Sequence, residues 1–288
     1  ICDPGDEVII PEPFYANYNG FAQASDVKVI PVTSKIEDNF ALPSIELFEK
    51  KINNRTKAIL ICNPCNPTGY VYSKEEIINI ANLAKKNDLF IIVDEVYREF
   101  IYSDLKHFSI LEDETFFDNA ILIDSTSKRY SLCGARIGFI VSKNSKFIET
   151  CMKFALARLS PPTVALIAAN NALKSDNKYI DNVIKEYSMR RKVLIGELSK
   201  INNIEFSDPM GAFYSIIKLP VKNAEEFAKF LLTDFSINNE SVMLAPAAGF
   251  YSSTDNGKDE VRIAFVLNSE KIKRAINIIN IGLKEYIG

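Results

Sequence analysis

Three short apolar stretches in this sequence run directly into polar residues, and this pattern is what most limits the fold. The stretches are Ala58–Cys62, Leu89–Val93 and Ala120–Asp124. Continuous apolar runs of this length are typical of strands in a parallel sheet that is covered on both faces. The carboxyl ends of parallel strands meet at one edge, so the residues that follow these strands should converge on one pocket.

The residues that follow the three strands differ in chemistry. An amide follows the first strand, a carboxylate and a phenol the second, and two hydroxyls and an amine the third: Asn66; Asp94 and Tyr97; Ser125, Ser127 and Lys128. Further along, Gly134 and Gly138 flank Arg136, which predicts a tight turn that directs one guanidinium inward. Hydroxyls and a guanidinium together predict a phosphate site with an amine beside it.

The rest of the chain predicts an α/β fold. Six strands are expected to form one mostly parallel sheet with helices on both faces: Glu7–Ile10, Val27–Val32, Ala58–Cys62, Leu89–Val93, Ala120–Asp124 and Phe139–Ser142. A long charged helix, Tyr179–Lys200, then connects to shorter elements with strands at Gly211–Lys218, Val242–Ala245 and Val261–Phe265. We therefore predict a large domain over residues 1–178 and a smaller α+β domain over residues 179–288.

Composition excludes several classes of function. A net charge of −3 gives no electrostatic case for binding nucleic acid. No apolar run is long enough to cross a bilayer, so no membrane association is expected. Five cysteines without framework spacing favour a reducing cytoplasm. His107 is the single histidine, which predicts no metal site and leaves proton transfer to lysine, tyrosine or a carboxylate.

The converging groups match the chemistry of one cofactor. A lysine amine among other cations loses its proton more readily and can act as a nucleophile. A carboxylate at the end of a buried strand needs a cation, and a pyridinium nitrogen is one. Tyr97 and Asn66 can donate to a phenolate oxygen, while Ser125, Ser127 and Arg136 can hold a phosphate. The molecule with an aldehyde, a pyridine, a phenolate and a phosphate is pyridoxal 5′-phosphate.

Four ordered motifs resemble those of the class I and II aminotransferases, the aspartate aminotransferase-like branch of the pyridoxal-phosphate enzymes. The segment Asn63–Gly69 is similar to the family's N-P-x-N-P-T-G, and Asp94–Tyr97 to its D-E-x-Y. Ser125–Gly138 is similar to S-x-S-K…G-x-R-x-G, and Val261–Phe265 to the strand with the family's C-terminal arginine. The resemblance covers essentially the whole chain. It also implies that Phe139–Ser142 runs antiparallel to the other strands. Because the family's first strand is missing from the chain as printed, Phe139–Ser142 should also lie at an edge of the sheet.

The resemblance implies a role for each site residue. Lys128 would form the Schiff base with the cofactor and shuttle the proton, and Asp94 would keep the pyridine nitrogen protonated. The remaining roles concern binding: Asn66 and Tyr97 for the phenolate oxygen, Ser125, Ser127 and Arg136 for the phosphate, Tyr15 for stacking on the ring, and Arg262 for the substrate carboxylate. Asn66 is expected to contact substrate as well. Gly211–Tyr214 and Ala248–Tyr251 also look familial, and we assign them no role.

The resemblance further implies amino transfer between an amino acid and a 2-oxo acid, with aspartate as the family default, in a homodimer. Family members have a segment before Asp3 that adds phosphate contacts, so the chain as printed is expected to bind cofactor weakly. Two alternatives stay open on the same residues. One is a lyase or decarboxylase that uses the same cofactor, and the other is a truncated, non-catalytic aminotransferase domain.

Overall fold

The computed structural model describes residues 1–102, 104–176 and 178–288. Six strands form its first sheet: β1 (Glu7–Glu12), β2 (Lys28–Thr33), β3 (Thr56–Cys62), β4 (Phe90–Asp94), β5 (Ala120–Ser125) and β6 (Gly138–Val141). Their order is β2-β1-β3-β4-β5-β6. The first five run parallel, and β6 pairs antiparallel with β5 at the edge. This confirms the predicted sheet and its antiparallel edge strand.

Helices lie between and beyond these strands: α1 (Asn17–Ala24), α2 (Ile45–Glu49), α3 (Lys74–Lys86), α4 (Thr126–Arg129), α5 (Ser145–Arg158), α6 (Thr163–Leu173) and α7 (Lys178–Leu198). One core cluster packs Phe48 of α2 and Ile77 and Ile80 of α3 against Ile59 and Ile61 of β3. All five side chains are essentially inaccessible to water. Leu60, between the two isoleucines of β3, packs against a different cluster with Phe14 and Tyr18, so both faces of β3 are covered and its sequence is an almost continuous apolar run.

The register of the sheet aligns the ends of its central strands. Cys62 at the end of β3 pairs with Asp94 at the end of β4, and Asp94 pairs with Ile123 of β5. On the far side of β5, Ser125 pairs with Gly138 at the start of β6. The polar residues that follow these strands therefore start from one edge of the sheet, as the sequence predicts.

A smaller sheet follows along the chain, with the order β7-β8-β10-β9. Its strands and the helices beside them are β7 (Glu205–Phe206), β8 (Tyr214–Lys218), α8 (Ala224–Thr233), β9 (Ala245–Pro246), β10 (Glu260–Ala264) and α9 (Ser269–Ile287). A second core cluster joins α7, α8 and α9 to this sheet, and it also contains Cys62, Tyr97 and Phe100. Core packing thus crosses the predicted domain boundary at residue 178. The division into two domains at that residue stays a prediction.

The strand predicted at Val242–Ala245 has the wrong bounds, because only the two-residue β9 forms there. Pairing with β10 begins only at Ala245, which lies opposite Arg262, and ends at Pro246, opposite Val261. The apolar run that suggested a strand serves packing instead, because Leu244 is buried in the second core cluster while Met243 is exposed. Across the described ranges, no helix combines the length and the apolar character needed to span a membrane.

Candidate active site

A cavity of about 360 Å³ opens at the carboxyl ends of β3, β4 and β5. Every site residue predicted from the sequence lines it: Tyr15, Asn66, Asp94, Tyr97, Ser125, Ser127, Lys128, Arg136 and Arg262. These residues come from positions that lie up to 247 residues apart, from 15 to 262. The volume falls in the range of small-molecule sites, about 300–1,000 Å³. The structure therefore brings together the groups that the sequence placed in one pocket.

The carboxylate of Asp94 meets hydrogen-bond donors rather than a cation. The hydroxyl of Tyr18 donates to its Oδ2 at 2.7 Å, and the backbone N–H of Val96 donates to its Oδ1 at 3.1 Å. Burial raises the pKa of Asp94, and the charges of Asp124 and Glu95 act in the same direction. An anion in this environment is stabilised by a cationic partner, so the site is suited to a positively charged ligand group.

Lys128 lies over two aromatic rings. Its Nζ is 5.8 Å from the ring centroid of Tyr97 and 5.9 Å from that of Phe213. The Tyr97 side chain is buried, and burial raises the pKa of its hydroxyl, which therefore keeps its proton and can donate. The amine and the phenol are thus held on the same side of the cavity by β4 and α4.

Ser125, Ser127 and Arg136 form the polar end of the cavity. Ser125 caps α4, its Oγ accepting from the backbone N–H of Ser127 at 3.0 Å, and the two hydroxyl oxygens are 2.8 Å apart. Arg136 is exposed and donates from Nη1 to the carbonyl of Cys133 at 2.9 Å. The chain turns tightly before β6, as predicted, and the residue that adopts the left-handed conformation in this turn is Arg136, with φ of 56°, rather than Gly134 or Gly138.

Asn66 and Arg262 meet at the cavity from positions 196 residues apart in the chain. Nη1 of Arg262 donates to Oδ1 of Asn66 at 3.0 Å. This bond uses the acceptor of the Asn66 amide and leaves its NH₂ group to donate to a ligand. The Nε of Arg262 is buried and has no hydrogen-bond partner among the described residues. An unpaired guanidinium donor fits a site that binds a carboxylate.

Two tyrosines of the site had no role in the sequence analysis. Tyr18 is the donor to Asp94, and its ring packs edge-on against that of Tyr15 with centroids 5.5 Å apart. Tyr214 lines the cavity, and its hydroxyl lies 3.0 Å from that of Tyr97. The only signals in the sequence were the three-residue spacing from Tyr15 to Tyr18 and the family-like segment that ends at Tyr214. Neither signal indicates which residue the tyrosine hydroxyl contacts.

A pair of buried charges supports the helix that carries Lys128. Arg129 is 5% exposed, and its Nη2 donates to both carboxylate oxygens of Asp124 at 2.7 and 2.6 Å. Its Nε lies 3.3 Å from Glu99 Oε1. Asp124 ends the apolar run of β5 and Arg129 ends α4, so this pair closes the turn between strand and helix and fixes the intervening Lys128.

Replacing Arg129 with methionine is expected to destabilise the chain by about 3 kcal/mol, because the buried carboxylate of Asp124 would keep only Arg98, whose half-buried guanidinium lies 3.9 Å away. Chemical unfolding followed by circular dichroism measures the loss. Lys86→Met is the matched control, since it removes an ion pair of similar length (2.8 Å, to Glu49) whose side chains are 70% and 50% exposed. That control should cost about 0–1 kcal/mol. Equal losses in the two variants would contradict the supporting role of Arg129.

Replacing Asp94 with asparagine is expected to stabilise the cofactor-free chain at neutral pH. The pKa of Asp94 is raised above the ordinary 3.8, so its carboxyl favours folding most when protonated. That contribution is fully present below pH 3.8 and is lost as pH rises through the raised value. The gain of Asp94→Asn should therefore grow as pH rises from 4 to 7 in unfolding experiments. A gain that shrinks over this interval would contradict the raised pKa.

Comparison with known proteins identifies the family. The family description "Aminotransferase class I and II" matches residues 1–279. The chain is 32% identical over 286 residues to an aspartate aminotransferase of Pyrococcus abyssi, covering 98% of this chain and 71% of that protein. Among solved structures, an aromatic aminotransferase from Pyrococcus horikoshii superposes with a TM-score of 0.90 at 30% identity, covering 100% of this chain and 75% of the other.

An alanine aminotransferase from Pyrococcus furiosus superposes with a TM-score of 0.87 at 31% identity, covering 99% of this chain and 72% of that one. This chain therefore belongs to the class I and II aminotransferases, enzymes that use pyridoxal phosphate, and the aminotransferase class inferred from its motifs is confirmed. The relatives named here differ in the amino acid that their names specify.

Proposed function

We propose that this chain binds pyridoxal 5′-phosphate in the cavity and transfers an amino group between an amino acid and a 2-oxo acid. One observation carries the proposal. A lysine amine, a carboxylate with no ion-pair partner among the described residues, and two serines with an arginine all line the same 360 Å³ space. These groups fit the cofactor, because each can bind one of its polar substituents.

The residues would hold the cofactor as follows. Ser125, Ser127 and Arg136 bind the phosphate through two hydroxyls and one guanidinium. Asp94, oriented by the hydroxyl of Tyr18, would keep a proton on the ring nitrogen. The hydroxyl of Tyr97 and the NH₂ of Asn66 would donate to the phenolate oxygen, and Tyr15 would stack on the ring.

Lys128 and Arg262 act on the substrate. When bound, the cofactor supplies an aromatic ring that accepts the electrons of the breaking bond at the substrate Cα. The Lys128 amine would hold the cofactor by replacing its aldehyde oxygen, which leaves as water, and once the substrate amine has displaced it, the Lys128 amine would take the proton from Cα. Arg262 binds the α-carboxylate and so presents Cα to Lys128. The Arg262 guanidinium lies between the rings of Tyr214 and Phe250, with its Cζ 4.5 and 4.8 Å from their centroids, which fixes its plane.

We propose aspartate as the amino donor, following the first relatives in the comparison, and 2-oxo acids as acceptors. The test begins with the absorbance spectrum of the purified chain in millimolar pyridoxal phosphate. Aspartate, alanine or phenylalanine is then added as the amino donor, followed by 2-oxoglutarate as the acceptor, and the glutamate formed is measured. Glutamate formation supports amino transfer. Formation of pyruvate or an amine without glutamate would favour a lyase or a decarboxylase, and a spectrum identical to that of free cofactor would favour a non-catalytic domain.

We also propose that the chain forms a homodimer in the cytoplasm. The helices α5 and α6 and the turn between them carry large exposed apolar side chains: Met152, Phe154, Leu156, Leu159, Val164 and Ile167. Exposed apolar patches of this kind mark interfaces. This patch adjoins a second cavity of about 580 Å³ that shares Ser125, Ser127 and Arg136 with the active-site cavity. A second copy would therefore close the phosphate end of the site.

All five cysteines are free, which suits a reducing compartment.

Light scattering tests the dimer. The unaltered chain should have twice the mass of one chain. Phe154→Asp, which places a charge at a side chain that is 75% exposed, should give the mass of one chain. Leu47→Asp is the control, because Leu47 is 44% exposed on α2, away from this patch. A single-chain mass for the unaltered protein would contradict the dimer.

A further inference from the structure

Tyr214 touches two parts of the active site that the chain supplies from different places. It lies on β8, its side chain is 6% exposed, and it lines the cavity. Its hydroxyl meets that of Tyr97, which comes from the end of β4, and its ring meets Arg262, which comes from β10. β8 and β10 are paired antiparallel, so the sheet itself sets the position of Tyr214 relative to Arg262.

The contact with Tyr97 joins two hydroxyl groups at 3.0 Å. A phenol has one proton to donate and an oxygen that accepts. When Tyr97 donates into the cavity, its oxygen becomes the acceptor and the hydroxyl of Tyr214 becomes the donor. Hydrogen bonds in such a chain polarise and strengthen one another. The hydroxyl of Tyr214 would therefore make Tyr97 a better donor.

The contact with Arg262 is made by the ring. The guanidinium carbon is 4.5 Å from the ring centroid of Tyr214, and Phe250 lies on the guanidinium at 4.8 Å. A cation over an aromatic face is attracted to it. Removing the ring would free the guanidinium to move, whereas removing the hydroxyl alone would not. The two contacts of Tyr214 can therefore be separated by mutation.

We propose that Tyr214 is a positioning residue that aligns the binding groups for cofactor and substrate, its hydroxyl acting through Tyr97 and its ring through Arg262. The proposal rests on the proposed function, because it assigns Tyr97 to a cofactor oxygen and Arg262 to a substrate carboxylate. Tyr214 itself neither transfers a proton nor forms a covalent bond in the reaction. Its role is to fix the donor direction of one residue and the plane of another.

The hydroxyl is tested with Tyr214→Phe in the presence of saturating pyridoxal phosphate. A donor on the cofactor's anionic oxygen favours the deprotonated form of the bound cofactor, so weakening that donor raises the pH midpoint of its absorbance change. We expect a rise of about half to one pH unit in Tyr214→Phe and about one to two units in Tyr97→Phe, where the donor itself is lost. Tyr70→Phe is the control, since it removes a hydroxyl bond to Glu76 outside the cavity.

The double variant Tyr97→Phe/Tyr214→Phe shows whether the effect passes through Tyr97. If it does, adding Tyr214→Phe to Tyr97→Phe leaves the midpoint unchanged. A further shift as large as in the single variant would overturn the proposal, as would a Tyr214→Phe midpoint equal to that of the unaltered chain. Absence of bound cofactor in the unaltered chain would instead refute the proposed function, and that result is seen before any variant is made.

The ring is tested with Tyr214→Leu against Tyr214→Phe. We expect Tyr214→Phe to leave the KM for the amino acid near its original value, because the ring stays on Arg262. Tyr214→Leu should raise KM about 3- to 30-fold over Tyr214→Phe. Equal KM values in the two variants would overturn this half of the proposal. Unfolding curves identify any variant that fails to fold. The comparisons of absorbance pH midpoints use only Tyr214→Phe at this position, which keeps the aromatic ring and so the packing.

Discussion

Lys128→Ala is expected to abolish covalent binding of pyridoxal phosphate and to reduce amino transfer by at least about 10⁴-fold. The expected loss is large because one amine would serve both as the anchor of the cofactor and as the base at the substrate Cα, and a positioned base alone contributes up to about 10⁴-fold. No other lysine lines the cavity among the residues that the structure describes. Glutamate formation from 2-oxoglutarate measures the rate.

The control for this variant is Lys86→Ala, which removes an exposed amine from α3. It should keep both the activity and the cofactor of the unaltered chain. The fold should survive Lys128→Ala as well, since the Lys128 amine lies over the rings of Tyr97 and Phe213 and makes only weak contacts with them. A folded Lys128→Ala chain that retains a tenth or more of the original rate would contradict the assignment.

Asp94→Ala is expected to weaken cofactor binding by on the order of 10²–10³-fold and to remove amino transfer. Removing one partner of a buried ion pair costs about 3–5 kcal/mol, because the other charge stays buried without compensation. Here the charge left alone would be the protonated ring nitrogen of the bound cofactor. Titration of the chain with pyridoxal phosphate, followed by absorbance, gives the affinity.

Asp6→Ala is the matched control for Asp94→Ala. Asp6 is 3% exposed, accepts from the backbone N–H of Asp3 at 2.8 Å and lies outside the cavity. Its loss should lower the stability of the chain and leave cofactor affinity unchanged. If Asp94→Ala bound the cofactor as tightly as Asp6→Ala, the carboxylate of Asp94 would have no part in holding the ring nitrogen.

The sheet and the floor of the site were predictable because both depend on local patterns. Apolar runs such as Ala120–Asp124 specify buried strands, and parallel strands place whatever follows them at one edge. Recognising the strands was therefore enough to predict that Asn66, Asp94 and Lys128 line one cavity, as they do in the structure. Their catalytic and binding roles stay predictions, for which the experiments above are designed.

The contacts that orient these residues were not predictable from local patterns. Tyr18 reaches Asp94 across 76 residues, Tyr97 and Tyr214 meet across 117, and Arg262 meets Asn66 across 196. The contacts of Tyr214 and Arg262 depend on how the second sheet packs against the first, and that of Tyr18 depends on how α1 packs against the first sheet. A tyrosine in the sequence looks the same whether its hydroxyl faces water or a partner.

Two local details could not be predicted from short sequence patterns. In the turn before β6, Arg136 and not a flanking glycine takes the left-handed conformation. The apolar run that begins at Val242 could serve a strand or a packed loop equally well, and burial of Leu244 decided for the loop. Periodicity cannot separate these cases in so short a segment.

The most direct test of the account is to find which lysine holds the cofactor. The chain is incubated with millimolar pyridoxal phosphate, reduced with borohydride, digested, and mapped by mass spectrometry. We predict that Lys128 carries the reduced cofactor at far higher occupancy than exposed lysines such as Lys86, and that Asp94→Ala lowers the labelling of Lys128 alone. Labelling of Lys128 at or below the level of Lys86 would contradict the central claim that this cavity is a pyridoxal-phosphate site.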